Sequence, residues 1–316
     1  MAGAWAGGTI ENVLGVRTRI KAATALAISA VALLVAPASS EVPNLEWTAL
    51  LPPIPTAQNP QPGPVSTCEK PTPGCIRAQI RRLREKRDEW GCNHRAVFAT
   101  TYLMLTKQIF ADVKSGLVER DFIDPKYLYT EDALFANVYL RTIKAYDRGD
   151  EIARAWKIAF DTAARDDTGA VQDMLLGINA HVQNDMPFVL ASLGLSTPDG
   201  KSRKPDHDEG NGSLNRGYEA VVEEVRVRFD SAIGLSNPAG LPADDLLGLE
   251  LVRVWRENVW RNAEKLLNAD GKREQRQVAK RIEDDAAATA QAIAAGALPG
   301  YGATRDAYCA AGPSGG

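Results

Sequence analysis

From Ile76 onward, apolar residues recur at three- and four-residue intervals, and no stretch alternates long enough to argue a strand. The pattern predicts helices over about 76–90, 93–114, 129–147 and 150–164. In the second, Val97, Tyr102, Leu105, Ile109 and Val113 take apolar positions; in the third, Leu134, Phe135, Val138, Tyr139 and Ile143; in the fourth, Ile152, Trp156, Ile158 and Phe160. Residues 168–195 are apolar nearly all round, which predicts one long buried helix at the centre. A polar stretch, 196–212, reads as a loop before a sixth helix over about 213–229. Pro242 suits the first turn of a seventh helix, which runs through Val252, Trp255, Val259, Trp260 and Leu267 to Ala269. Gly271 separates an eighth, charged at its start and Ala-rich at its end, expected to pack loosely or to cap the bundle. The predicted fold is all-α: a multi-helix bundle around a buried central helix, one domain over 75–296, with a flexible C-terminal tail over 297–316.

The region before Ile76 follows a different rule. Arg17, Arg19 and Lys21 precede an uncharged, largely apolar stretch, Ala22 to Pro37, and Ala36-Pro37-Ala38 supplies the small residues of a cleavage site. That order predicts a secretory signal peptide over 1–38 and an exported mature chain, secreted or at the cell surface. The apolar run is shorter than the roughly 20 residues that cross a bilayer, so no stable membrane span is expected after cleavage. The long lead before Arg17 suggests a true start at Val13 or Val16. Eleven prolines and glycines between Pro43 and Gly74 make residues 39–74 a Pro-rich linker with no core of its own.

Charge narrows the function classes. The leader holds three basic residues and one acid, so the 37 Lys and Arg and 40 Asp and Glu of the full chain become a mature balance of −5. Such mild acidity with interspersed signs gives no footprint for nucleic acid. The basic run Arg77 to Arg87 is broken by Ile80, Leu83 and Glu85 and reads as the wet face of a helix. Four cysteines in an exported chain predict two disulfides. Cys75 and Cys92 flank the first helix, roughly 25 Å apart at 1.5 Å per residue, too far for a bridge. Cys68–Cys75 with Cys92–Cys309 is the preferred pairing, and Cys68–Cys92 with Cys75–Cys309 the alternative.

Candidate chemistry rests on three histidines. His181 and Asp185 are four apart in the central helix and so share a face, with Met174, Ile178 and Phe188 predicted on the same side. A buried imidazole and carboxylate need partners: a metal ion is one, a mutual hydrogen bond the other. Pro187 removes a backbone donor and would clash with the carbonyl of Gln183. His207 sits in Asp206-His207-Asp208 within the polar stretch, placed to swing back over the helix. His94 lies beside Cys92, and Asp132, next to Glu131, is a further carboxylate. The metal-ligand set read from these residues is His181, Asp185, His207, His94 and Asp132, with zinc the expected divalent ion. No H-E-x-x-H, E-x-x-H or phosphate-loop motif occurs. Two functions remain open: a metal-dependent hydrolase, or a non-enzymatic secreted or cell-surface structural or binding protein with a buried His–Asp network.

Several segments together carry a resemblance: Cys92-Asn-His-Arg-Ala-Val-Phe-Ala-Thr-Thr-Tyr102, Phe135-Ala-Asn-Val-Tyr-Leu140, Trp156-Lys-Ile-Ala-Phe160, Gly177-Ile-Asn-Ala-His-Val-Gln-Asn-Asp-Met-Pro187, then His207, Asn215 and the run Trp255 to Glu264. Over about residues 68–270 the chain resembles the bacterial domain-of-unknown-function family 5995, whose mark is Asn-Ala-His-x-x-x-Asp-Leu-Pro. Met186 stands where that family usually has Leu. The resemblance implies a helical fold and a central His–Asp helix, and no activity. The His-x-x-x-Asp helix followed by Pro is also similar to that of the zinc-dependent phospholipase C group of exported helical enzymes. That group's further histidines are absent, and three histidines cannot fill its trinuclear site.

Overall fold

Pro73 opens the first helix, its fixed φ and missing N–H both suited to a first turn, and Gly91 closes it with φ 54°. This is α1, Pro73–Trp90, in a computed structural model that describes residues 68–233 and 243–312, the latter with side chains from 248. The expected signal peptide and residues 39–67 of the expected linker lie outside the described residues. The last linker residues behave otherwise: Cys68 is buried and bonded to Cys75, so the chain joins the domain before α1 begins.

After α1 come α2 (Arg95–Lys114), the short α3 (Leu117–Asp121), α4 (Pro125–Asp147) and α5 (Arg154–Ala163). Asp124 caps α4 by accepting the N–H of Tyr127, with Pro125 at the first position. The expected central helix is a rod in three parts: α6 (Ala170–Ile178), a π-helical turn (Asn179–Asp185) and α7 (Met186–Leu193). Its middle is touched by α4 and α5 and by two later helices, α9 (Ala243–Asn268) and α10 (Gly271–Ala295). The described residues are all-helical apart from one isolated bridge, Ser196 to Ser202. None of their helices is long and apolar enough to cross a membrane.

The π-turn answers the problem that Pro187 poses. Met186 donates its N–H to the carbonyl of His181, five residues back, so the ladder widens just before the proline instead of clashing with it. The extra residue rotates everything downstream. Met186 turns inward, whereas Phe188, expected on the face of His181, is 38% exposed.

Three further expectations need correction. The polar stretch 196–212 is a loop only to Arg203; α8 runs Lys204–Phe229, so His207 is a buried helical residue and not a mobile loop residue. Gly210 and Gly212 make this segment look like loop, but packing overrides propensity: a Cβ on Gly210 would lie 2.7 Å from Nη2 of Arg256, whose buried side chain crosses there. The Ala-rich end of α10 packs closely, with Ala286, Ala287 and Ala290 buried, and the carbonyl of Ala286 accepts Nδ2 of Asn179 at 2.8 Å. Small side chains bring this helix against the rod. Finally, the expected flexible tail contains α11, Tyr301–Ala311, tied down by Cys92–Cys309 and by the buried Arg305. Both bridges follow the preferred pairing.

Candidate functional site

Asp185 is a hub for donors. Its carboxylate accepts Nε1–H of Trp156 at 2.8 Å, Nδ1–H of His181 at 3.1 Å and Nδ2–H of Asn184 at 2.8 Å. The i, i+4 pair read from the sequence therefore exists, as a hydrogen bond. This fixes the His181 tautomer: the proton sits on Nδ1, and Nε2 presents a bare lone pair. The ring is stacked on Phe135, centroids 3.4 Å apart, with the ring of Tyr102 4.8 Å away. Gly177 lets Phe98 close this aromatic cage, since a Cβ there would meet the Phe98 ring at 2.2 Å. Burial holds the His181 imidazole below the ordinary histidine range, outweighing the opposite pull of Asp185.

Beside His181 opens a chamber of about 430 Å³ among α2, α4, α6, α8 and α9. Its walls are mostly apolar, including Leu105, Ile109, Met174, Leu175, Leu214 and Val252. Val171 and Leu251 line it and are 42% and 39% exposed, which marks where it meets the surface. Among the described residues, four buried polar atoms on its lining residues have no partner: Oη of Tyr102, Oδ2 of Asp132, Nε2 of His181 and Nδ1 of His207. Native interiors leave few such groups. Glu131 also lines the chamber.

Burial pushes the carboxyls of Glu131 and Asp132 up to about 7; the charge of Glu131 adds to the effect on Asp132, while Arg256 opposes it at Glu131. His207 donates from Nε2 to the carbonyl of Arg256 at 3.0 Å, so its Nδ1 is the acceptor. Burial, then the positive charge of Arg256, holds His207 well below the ordinary histidine range. Arg256 donates Nε to Oδ1 of Asn211 at 2.8 Å and Nη2 to the carbonyl of His207. Asp206 faces away in function: it accepts the N–H groups of Ile123 and Asp124 at 2.6 and 2.9 Å and holds the start of α4.

The expected metal-ligand set is thus divided. His181, His207 and Asp132 line one chamber, Asp185 stands behind His181, and His94 lies elsewhere. Among the described residues, the one group of three His, Cys, Asp or Glu ligand atoms mutually within 4.8 Å is His94, Asp166 and Asp306. His181, Asp185 and His207 form no such group: their ligand atoms do not all come within that distance, and Asp185 already accepts from three donors. At His94, Nδ1 meets Asp173 at 2.7 Å, itself held by Oγ1 of Thr168 at 2.6 Å, and Nε2 meets Asp306 at 3.2 Å and Asp166 at 3.9 Å. Burial opposes charge on this imidazole, but the Asp173 hydrogen bond and the charges of Asp173 and Asp306 outweigh it and raise its pKa. A carboxylate behind a histidine facing two more carboxylates is a donor set that suits a divalent ion, and equally an imidazolium.

Sequence reasoning missed Asp166, Asp173 and Asp306, which come from three separate segments with no shared motif. It placed Tyr102 as an apolar position and as the end of one segment of the family resemblance, and Arg256 only inside another such segment. The clue available for Tyr102 was its place on the same helix face as Phe98 and Leu105.

Comparison with curated proteins and with solved structures gives no match. A family model described as a family of unknown function (DUF5995) matches residues 76–296. The match contains every chamber residue named above and excludes Asp306 and Cys309. The chain belongs to the DUF5995 family.

Proposed function

We propose that this protein is an exported binding protein for an apolar small molecule that occupies the chamber with its polar end toward His181. One observation carries the reading: four polar atoms buried without partners among the described residues belong to side chains that line a single, mostly apolar cavity. Each such atom costs about 1–3 kcal/mol when left unmatched, and a ligand that reaches them recovers that energy. Export agrees with the leader pattern and with two disulfides, which persist in oxidising compartments. The test is titration with N-phenyl-1-naphthylamine, an apolar dye that brightens out of water. Saturable binding of one equivalent, weakened when Leu249→Trp takes up part of the chamber, is the expected result. Absence of saturable binding to the wild-type chain sinks the reading.

A second reading, a hydrolase, is favoured by the His181–Asp185 hydrogen bond. Asp185 orients the ring, Nε2 is free to take a proton from water, and Glu131 or Asp132 in its protonated form is the acid. A divalent ion in this protein would sit at His94, Asp166 and Asp306, outside the chamber, and would tie α2 to α11. Turnover of long-chain esters that disappears in His181→Ala, with elemental analysis for the ion, separates this reading from binding alone.

A further inference from the structure

The polar end of the chamber has a sign. His181 spends its N–H on Asp185, and His207 spends its N–H on the carbonyl of Arg256, so each of these two lining residues keeps one buried ring nitrogen with no donor among the described residues. Oδ2 of Asp132 is a third acceptor without a donor. Glu131 adds a carboxyl with no hydrogen-bond partner among the described residues. Of the lining hydroxyls, Thr101 donates to the carbonyl of Val97 and Ser213 to Asp112, while Tyr102 has one hydrogen to give and no partner among the described residues. Arg256 spends Nε on Asn211 and Nη2 on the carbonyl of His207, its Nη1 meets only the sulfur of Met186 at 3.9 Å, and its charge faces Glu131 and Asp208. The unpartnered groups of the lining are therefore mostly acceptors.

Its size sets the apolar part. An apolar cavity of about 150 Å³ holds one benzene. By that measure 430 Å³ holds about three, or roughly 18 carbons.

We propose that the chamber takes a long-chain amine: an apolar body of about 15–20 carbons whose ammonium or amine head donates to Glu131, Asp132 and His181. The proposal rests on the reading that the chamber binds a small molecule. A fatty acid fits the same walls but would set its carboxylate beside two carboxyls that are mostly ionised at pH 7.5 and two bare imidazole nitrogens.

The experiment displaces N-phenyl-1-naphthylamine with hexadecylamine, hexadecan-1-ol and hexadecanoic acid, each below its micellar concentration at pH 7.5. The amine is expected to bind at least tenfold more tightly than the acid, with the alcohol between. In the Glu131→Gln, Asp132→Asn double variant the amine-to-acid ratio is expected to fall below threefold. Near-isosteric amides keep the fold, and the single Asp132→Asn variant reports the same trend with less change. Equal or tighter binding of the acid overturns the amine head while leaving the chamber reading intact. So does an amine preference that the double variant leaves unchanged, which would reflect only the acidic surface. Failure of the dye itself to bind the wild type overturns both.

Discussion

Asp185→Ala tests whether the His181 site is built around one carboxylate. In the native fold three buried donors converge on that group: Trp156 Nε1–H, His181 Nδ1–H and Asn184 Nδ2–H, all within 2.8–3.1 Å. Removing it leaves all three unmatched, each at about 1–3 kcal/mol. A water drawn into the vacated space restores part of this, so the expected net loss is about 3–5 kcal/mol, in line with breaking other buried charged pairs. For a helical domain of this size that corresponds to a melting temperature lower by roughly 10 °C. Asp185→Asn keeps one acceptor oxygen but turns an amide N–H toward a donor, and should lose less than the alanine variant. Urea unfolding followed by far-UV circular dichroism gives the free energies, and tryptophan fluorescence reports on the Trp156 environment. A loss below about 1 kcal/mol for Asp185→Ala, or a larger loss for Asp185→Asn, would refute the hub.

Two other outcomes follow from the same geometry. Asp132 titrates near 7 in the fold and near 3.9 in an unfolded chain, so between those values the native state holds a proton that the unfolded state has released. Stability should therefore fall as pH rises from about 4 to about 7. Asp132→Asn should reduce that slope, leaving the share that Glu131 contributes, and exceed the wild type at pH 8 by at least about 1 kcal/mol, and an unchanged pH profile would count against the buried acid. Cys309→Ser opens the bridge that spans 217 positions and holds α11 to the start of α2. It should cost about 2–5 kcal/mol and admit protease between α10 and α11; a variant as stable and as resistant as the wild type would show that Arg305 packing alone docks the helix.

What the chain shows on its own is whatever depends on neighbours a few residues apart. Helical spacing places α1, α2, α4 and α5 to within a few residues and marks 168–195 as central. The i, i+4 rule pairs His181 with Asp185, and the length of α1 rules out a Cys75–Cys92 bridge. Pro187 signals a local irregularity, though its form as a π-turn, and the outward rotation of Phe188, depend on how the rod packs. The polar stretch around His207 shows where local reading fails. Its glycines and charges look like loop, yet Arg256, 49 residues onward, crosses at Gly210 and makes the segment helical and buried. The ligand groups diverge for the same reason. Nothing near His94 in the chain foretells Asp166 or Asp306, because one arrives by the α5–α6 turn and the other by a terminal helix that Cys309 pins in place. The chamber is the clearest case: its walls come from five helices, and each apolar residue in it reads along the chain as ordinary core. Sequence determines that these side chains leave water; only the tertiary arrangement decides that they stop short of filling the space between them.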